Sequence, residues 1–190
     1  MKRLAVLCSG NGSNFEAILT AIRRKRLRAE VAVMVSDNPS AYAVTRAKNH
    51  GVPVVVLPSR LFASRKEHET LIVSVLKQLE VDLVVLAGYM RIFTPYFIRS
   101  FRGRIVNIHP SLLPAHKGVH AIRDAFQAGA RKTGVTVHVV TAELDAGPVI
   151  AQSPVKCSAR ETLASLEKKI HRTEHALYPR AIETYLKKLT

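Results

Sequence analysis

Short apolar runs rich in β-branched residues alternate with segments of helical period along most of the chain. Leu4 to Cys8 reads as a buried strand, Phe15 to Arg23 as a helix and Val31 to Ser36 as a strand. Tyr42 to Asn49 follows as a helix closed by Gly51, then Val54 to Leu57 as a strand. Ser64-Arg65-Lys66-Glu67 is a capping-box pattern, whose hydroxyl and carboxylate satisfy free amides at the start of a helix running to about Glu80. Leu83 to Ala87 is the next strand. Thr94 as N-cap and Pro95 in the first turn open a short helix, and Ile105 to Ile108 returns to strand.

Strands that are continuously apolar and separated by helices belong to a parallel sheet covered on both faces. The expected fold is therefore α/β: a doubly wound, Rossmann-like, mostly parallel sheet. Ligands bind outside the carboxyl ends of such strands. That directs attention to Ser9 to Asn14, Gly88 to Phe93 and His109 to Pro114.

Beyond Gly118 the pattern changes. A helix from about Val119 to Ala128 stops at Gly129, and two strands follow, Thr133 to Val140 and Val149 to Val155, expected as an antiparallel addition. A second capping box, Ser158-Ala159-Arg160-Glu161, starts a long terminal helix that Pro179 must interrupt or kink. With no repeat, low-complexity tract or linker, a single domain over 1–190 is the economical reading. Its halves are a nucleotide-binding-like 1–108 and a 109–190 portion with the His109 loop, the final strands and the terminal helix.

Composition agrees with a globular domain: 47% of the 190 residues are hydrophobic and 23% charged. Uninterrupted apolar stretches such as Leu83 to Ala87 fall far short of the ~20 residues of a membrane span. Met1-Lys2-Arg3 imitates the start of a signal peptide, but Ser9-Gly10-Asn11-Gly12 arrives before an apolar region of about 7–15 residues is complete. Cys8 and Cys157 have neither metal-ligand spacing nor a disulfide framework, which fits a reducing cytoplasm. The net charge of +15 invites an anionic partner. Its basic residues are spread over Arg23 to Arg28, Arg99 to Arg104, Lys168 to Arg172 and Lys187-Lys188, which suits solvated helix faces as well as a binding stripe.

Three segments carry chemistry. In Ser9 to Phe15 the glycines permit close backbone approach, and amides at a helix N-terminus favour a phosphate; a tight turn with an N-cap is the alternative. It is no dinucleotide fingerprint, because Phe15 stands where a third glycine belongs and Asp37 is a weak ribose anchor. In Asn107-Ile108-His109-Pro110 a strand end delivers an amide and an imidazole on the same side of an extended chain, able to orient a carbonyl oxygen and exchange a proton. Asp145, in a turn before Gly147-Pro148, favours an imidazolium if the fold places it beside His109.

The loop Ser9 to Asn14 forms a set with Ala87-Gly88-Tyr89-Met90-Arg91-Ile92, Asn107 to Pro114, Glu143 to Ile150 and Glu174-His175-Ala176-Leu177-Tyr178-Pro179. In this order and spacing, the set resembles the phosphoribosylglycinamide formyltransferases, within the wider 10-formyltetrahydrofolate-using family. The resemblance covers nearly the whole chain and implies a single formyltransferase domain. It implies direct formyl transfer from 10-formyltetrahydrofolate to the amine of glycinamide ribonucleotide, in purine biosynthesis. It further implies that Asn107 steadies the oxyanion, His109 exchanges protons and Asp145 tunes that histidine. Gly12, Ser13, Asn14 and Glu174 match positions that hold the ribonucleotide. Arg65, Met90, Arg91, Ile92, Phe93 and Asn107 match folate-binding positions.

No metal, membrane or specific nucleic acid is expected, and the assembly is a monomer or homodimer. His116, His120, His138, His171 and His175 receive no catalytic role; His138, alternating with Val137 and Val139, is structural or cleft-lining. The competing readings are a formyltetrahydrofolate deformylase, which carries an additional N-terminal domain, and a methionyl-tRNA formyltransferase, which carries an additional C-terminal one. A catalytically silent anion- or nucleic-acid-binding module of the same fold is the third. The loop at Ala115 to Gly118 varies within the family.

Overall fold

Successive residues of the first strand point to opposite sides of a sheet and divide its apolar run between two cores. The structure, a computed structural model, describes residues 1–189, so the Thr190 end of the expected domain lies outside the described residues. Among these are strands β1 (Lys2–Leu7), β2 (Ala29–Ser36), β3 (Val54–Val56), β4 (Leu83–Leu86), β5 (Ile105–His109), β6 (Lys132–Val139) and β7 (Val149–Lys156). They form one sheet in the order β3-β2-β1-β4-β5-β6-β7. Pairing is parallel from β3 through β5, whereas β6 is antiparallel to β5 and β7 to β6. The helices are α1 (Ser13–Arg23), α2 (Tyr42–Asn49), α3 (Arg65–Gln78), α4 (Pro95–Ser100), α5 (Ala121–Gln127) and α6 (Leu163–Leu186).

Leu4 and Val6 of β1 pack with Phe15 and Ile18 of α1, Ala43 and Ala47 of α2, and Leu166, Ile170 and Ile182 of α6. Ala5 and Leu7 face the other way, onto Ile72 and Leu76 of α3 and Phe97 of α4. Burial on both faces is why these strands read as continuous rather than alternating apolar runs. Each large side chain so buried contributes about 1.5–3 kcal/mol.

Strand order reverses between β1 and β4, so the chain leaves β1 for one face and β4 for the other, opening a crevice between their carboxyl ends. Two hydrogen bonds join its walls: the Ser9 amide donates to the Gly88 carbonyl at 3.0 Å and the Met90 amide to Ser9 Oγ at 2.9 Å.

Several element ends differ from the expected ones, for local reasons. Helix α1 starts two residues before Phe15, with Gly12 as its N-cap. At α3 Ser64 Oγ accepts from the Glu67 amide as expected, while the Glu67 carboxylate accepts from Ala63. Thr94 is the N-cap of α4, yet its hydroxyl donates to Glu69 instead of capping the helix. The second capping box does not start α6: Glu161 accepts from the Ser158 amide and from Lys169, closing a preceding turn, and Thr162 Oγ1 caps the helix by accepting from Ser165 at 3.2 Å. Helix α6 runs through the buried Pro179 without interruption. The tertiary packing of that face outweighs the one hydrogen bond the imino nitrogen cannot make.

Candidate functional site

A cleft of about 440 Å³ occupies the crevice. One wall is the loop after β1. Gly12 has φ 74, and a Cβ there would stand 2.7 Å from Ala43 Cβ, so α2 packs against a position only glycine fills. Among the described residues no side chain caps α1, and the first backbone bond of the turn runs from Glu16 to the Gly12 carbonyl at 3.0 Å. The amides of Ser13 to Phe15 are thereby left for a ligand, at the positive end of the helix dipole.

Opposite stands the face shared by β5 and β6. Residues Asn107 and His138 are register partners, which puts their side chains side by side. The Asn107 amide nitrogen lies 3.3 Å from His138 Nε2, and His138 Nδ1 lies 3.1 Å from the Val139 carbonyl. A carbonyl only accepts, so Nδ1 carries the hydrogen, Nε2 offers its lone pair, and Asn107 donates to it. Burial lowers the His138 pKa from 6.5, consistent with this neutral ring. The 3.7 Å approach of His138 Nε2 to Asp145 Oδ1 is therefore a contact of a neutral imidazole with a carboxylate, not an ion pair.

His109, 5% exposed at the end of β5, has its Nδ1 3.5 Å from Asp145 Oδ2. Its Nε2 donates to the His116 carbonyl at 2.8 Å. Asp145 is 8% exposed with φ 49, and its Oδ2 accepts from the Gly118 amide at 2.9 Å. The turn that carries it is pressed onto β6 at Gly147, where a Cβ would lie 1.8 Å from the Val139 carbonyl oxygen. The loop after His109 is pinned at Thr136, whose Oγ1 donates to Ser111 at 2.7 Å and accepts from the Leu113 amide at 3.0 Å.

Helix α6 supplies the third wall. Tyr178, fully buried, points its hydroxyl at the Leu86 and Val106 carbonyls, 2.8 and 3.2 Å away, and so docks the helix beneath the ends of β4 and β5. One turn earlier Glu174 faces the cleft, accepting from Asn14 Nδ2 at 3.1 Å and bonded to His171 Nδ1 at 3.0 Å. That bond to Glu174, ahead of the opposing desolvation, raises the His171 pKa above 6.5. Among the described residues Asn14 Oδ1 is buried without a partner.

The structure thus brings Gly12, Ser13, Asn14, Met90, Arg91, Ile92, Phe93, Asn107, His109, Asp145 and Glu174 to one cleft. Met90 and Ile92 are 70% and 63% exposed, an apolar rim rather than core. Phe93 is buried, stacked on Tyr89 and Phe97. Arg91 lies 3.7 Å from Asp37. Arg65 is not brought in: it stands exposed at the first residue of α3, outside the cleft lining, where the Ser64 cap begins the helix. Two cleft residues given no catalytic role from sequence, His138 and His171, contact Asn107 and Glu174; strand register and helical i,i+3 spacing were the only signals of this.

Among the described residues no cluster of His, Cys, Asp and Glu could hold a metal ion, and no helix is long and apolar enough to cross a membrane. The family model described as formyl transferase matches residues 2–182. The chain is 40% identical over 186 residues to the phosphoribosylglycinamide formyltransferase of Bacillus subtilis (strain 168), covering 98% of this chain and 95% of that one. It superposes with a TM-score of 0.96 on the glycinamide ribonucleotide transformylase 1 of Geobacillus kaustophilus, at 46% identity, covering 98% and 99% of the two chains. The phosphoribosylglycinamide formyltransferase of Bacillus halodurans gives 0.96 at 44% identity, covering 100% and 97%.

Proposed function

The chain belongs to the formyl transferase family, and on that premise we propose that its cleft moves the formyl group of 10-formyltetrahydrofolate to the amine of 5'-phosphoribosylglycinamide. It is an enzyme, a formyltransferase of purine biosynthesis acting on small molecules. The observation that carries the reading is the meeting of Asn107, His109 and Asp145 in one cleft with the uncapped start of α1.

The reaction forms a bond between the substrate amine and the formyl carbon and breaks the bond from that carbon to N10 of the folate. The amine loses a proton and N10 gains one. Negative charge collects on the formyl oxygen in between. Asn107 uses one amide hydrogen on His138 and has the other for that oxygen, already oriented before substrate arrives. His109 carries the proton, and the Asp145 carboxylate stabilises the imidazolium as it forms. Transfer requires the His116 carbonyl to leave His109 Nε2, so the 116–118 segment gives way when the formyl group enters. No side chain needs to form a covalent intermediate; burial pushes the Cys8 thiol up to about 12, and it stays protonated in the core.

The ribonucleotide phosphate meets the amides of Ser13 to Phe15, with Gly12 giving access. Asn14 and Glu174 take its polar groups, which supplies the missing partner of Asn14 Oδ1. Met90, Ile92 and Phe93 form the apolar side for the pterin, and Arg91 faces the anionic tail.

The test is a steady-state assay of deformylated folate by absorbance, with and without the ribonucleotide. Release that needs the ribonucleotide and yields its formylated product is expected. Release without it would transfer the assignment to hydrolysis, and no release under either condition would leave a silent binding module.

A further inference from the structure

The basic run from Arg23 to Arg28 suits, from sequence, a solvated helix face as well as a binding stripe, and in the structure Arg24 and Arg26 border a second groove of about 700 Å³. Arg180 and His175 of α6 and Arg46 of α2 complete its basic lining. Glu16 is the one carboxylate in that lining, and both its oxygens are taken, by Arg46 at 3.0 Å and His50 at 2.9 Å. Among the described residues, Arg24, Arg26 and Arg180 have no carboxylate within ion-pair distance. His175 Nε2 is buried and has no hydrogen-bond partner there.

Arg24, Arg26 and Arg180 are exposed, but they line one concavity with no carboxylate of the described residues paired to them, and like charges gathered in a concavity focus a positive potential. Guanidinium forks match phosphate oxygens two at a time. Because the arginines come from the turn after α1 and from α6, they can grip more than one phosphate group. The lining holds no Phe, Tyr or Trp on which a base could stack.

We propose that the groove between α1 and α6 is a second anion site, which takes a small molecule carrying a diphosphate group through Arg24, Arg26 and Arg180. The site is separate from the formyl-transfer chemistry but adjoins it. Ser13 lines both groove and cleft, and the Arg46 guanidinium donates to the Asn11 carbonyl at 3.0 Å, inside the loop that borders the cleft.

The experiment is calorimetric titration of inorganic pyrophosphate into the intact protein and into Arg24→Gln/Arg26→Gln/Arg180→Gln. Wild type should bind saturably. The triple variant should bind at least about 100-fold more weakly, and Arg180→Gln alone about tenfold more weakly, with thermal midpoint and formyl transfer unchanged. Repeating the titration with ADP separates sources: equal affinity means recognition of the diphosphate alone, and tighter ADP means a nucleotide; both support the site. Pyrophosphate binding that is unsaturable, or equal in the triple variant, would overturn it. So would a single-stranded RNA that binds more tightly than either ligand and loses affinity in the same variant, since the groove would then be a nucleic-acid surface.

Discussion

Asn107 and His138 are cross-strand partners whose side chains meet at 3.3 Å, and the hydrogen on His138 Nδ1 is committed to the Val139 carbonyl. On the proposed role of Asn107, His138 is a positioning residue. Asn107→Ala should lower kcat by about 10²–10³-fold, the usual loss for an oxyanion donor. His138→Ala should lower kcat about tenfold with the ribonucleotide KM nearly unchanged, and add little in the Asn107→Ala background. Fully multiplicative losses in the double variant would sink the link.

On the proposed roles, transfer needs both the proton carrier His109 and its orienter Asp145. His109→Ala and Asp145→Asn are each expected to slow transfer by about 10²-fold or more while circular dichroism and thermal midpoint stay native. Near-native turnover by either folded variant would reject the role assigned to it.

Two of the cleft histidines should titrate on opposite sides of 6.5, His171 above it because of Glu174 and His138 below it because of burial. The His171–Glu174 bond contributes stability that is complete below pH 6.5 and lost as pH rises through the raised value. The reverse holds for His138, whose contribution is complete above pH 6.5 and falls away as pH drops through its depressed value. Ring-proton NMR titration gives both midpoints, and Glu174→Gln should bring that of His171 down. Coincident midpoints would contradict both environments.

Gly12→Ala combines a left-handed backbone cost of about 1–2 kcal/mol with the 2.7 Å clash against Ala43. A tenfold or larger rise in ribonucleotide KM is expected, on the order of one hydrogen bond to a charged group. Ala43→Gly removes the 2.7 Å contact, leaves the Ala43 Cα at 3.0 Å, and should restore part of the loss. If the second change restores nothing, the close approach of α2 is not what shapes the loop.

Tyr178→Phe leaves the Leu86 and Val106 carbonyls without their buried hydroxyl partner. Urea denaturation should show a loss of about 0.5–1.5 kcal/mol, the net worth of a buried hydrogen bond. An unchanged midpoint would mean that α6 is held by apolar packing alone.

The order of strands and helices, and the parallel pairing of the first five strands, were legible in the sequence because both follow from local pattern. A strand buried on two faces must be apolar throughout, and a helix must show its period. The motifs around Asn107 and Asp145 were legible too, as a resemblance. Contacts between distant residues were not. That His138 backs Asn107 depends on the β5–β6 register, which an alternating pattern leaves free in steps of two. That Arg65 stays outside the cleft depends on where α3 begins against its own cap. Asp145 reaches His109 because Gly147 lets its turn lie on β6 with less room than a methyl group needs. Arg24, Arg26 and Arg180 share a groove because α1 and α6 pack side by side. Local periodicity determines which face of an element is buried; only the packed chain determines which polar groups then stand within hydrogen-bonding reach of one another.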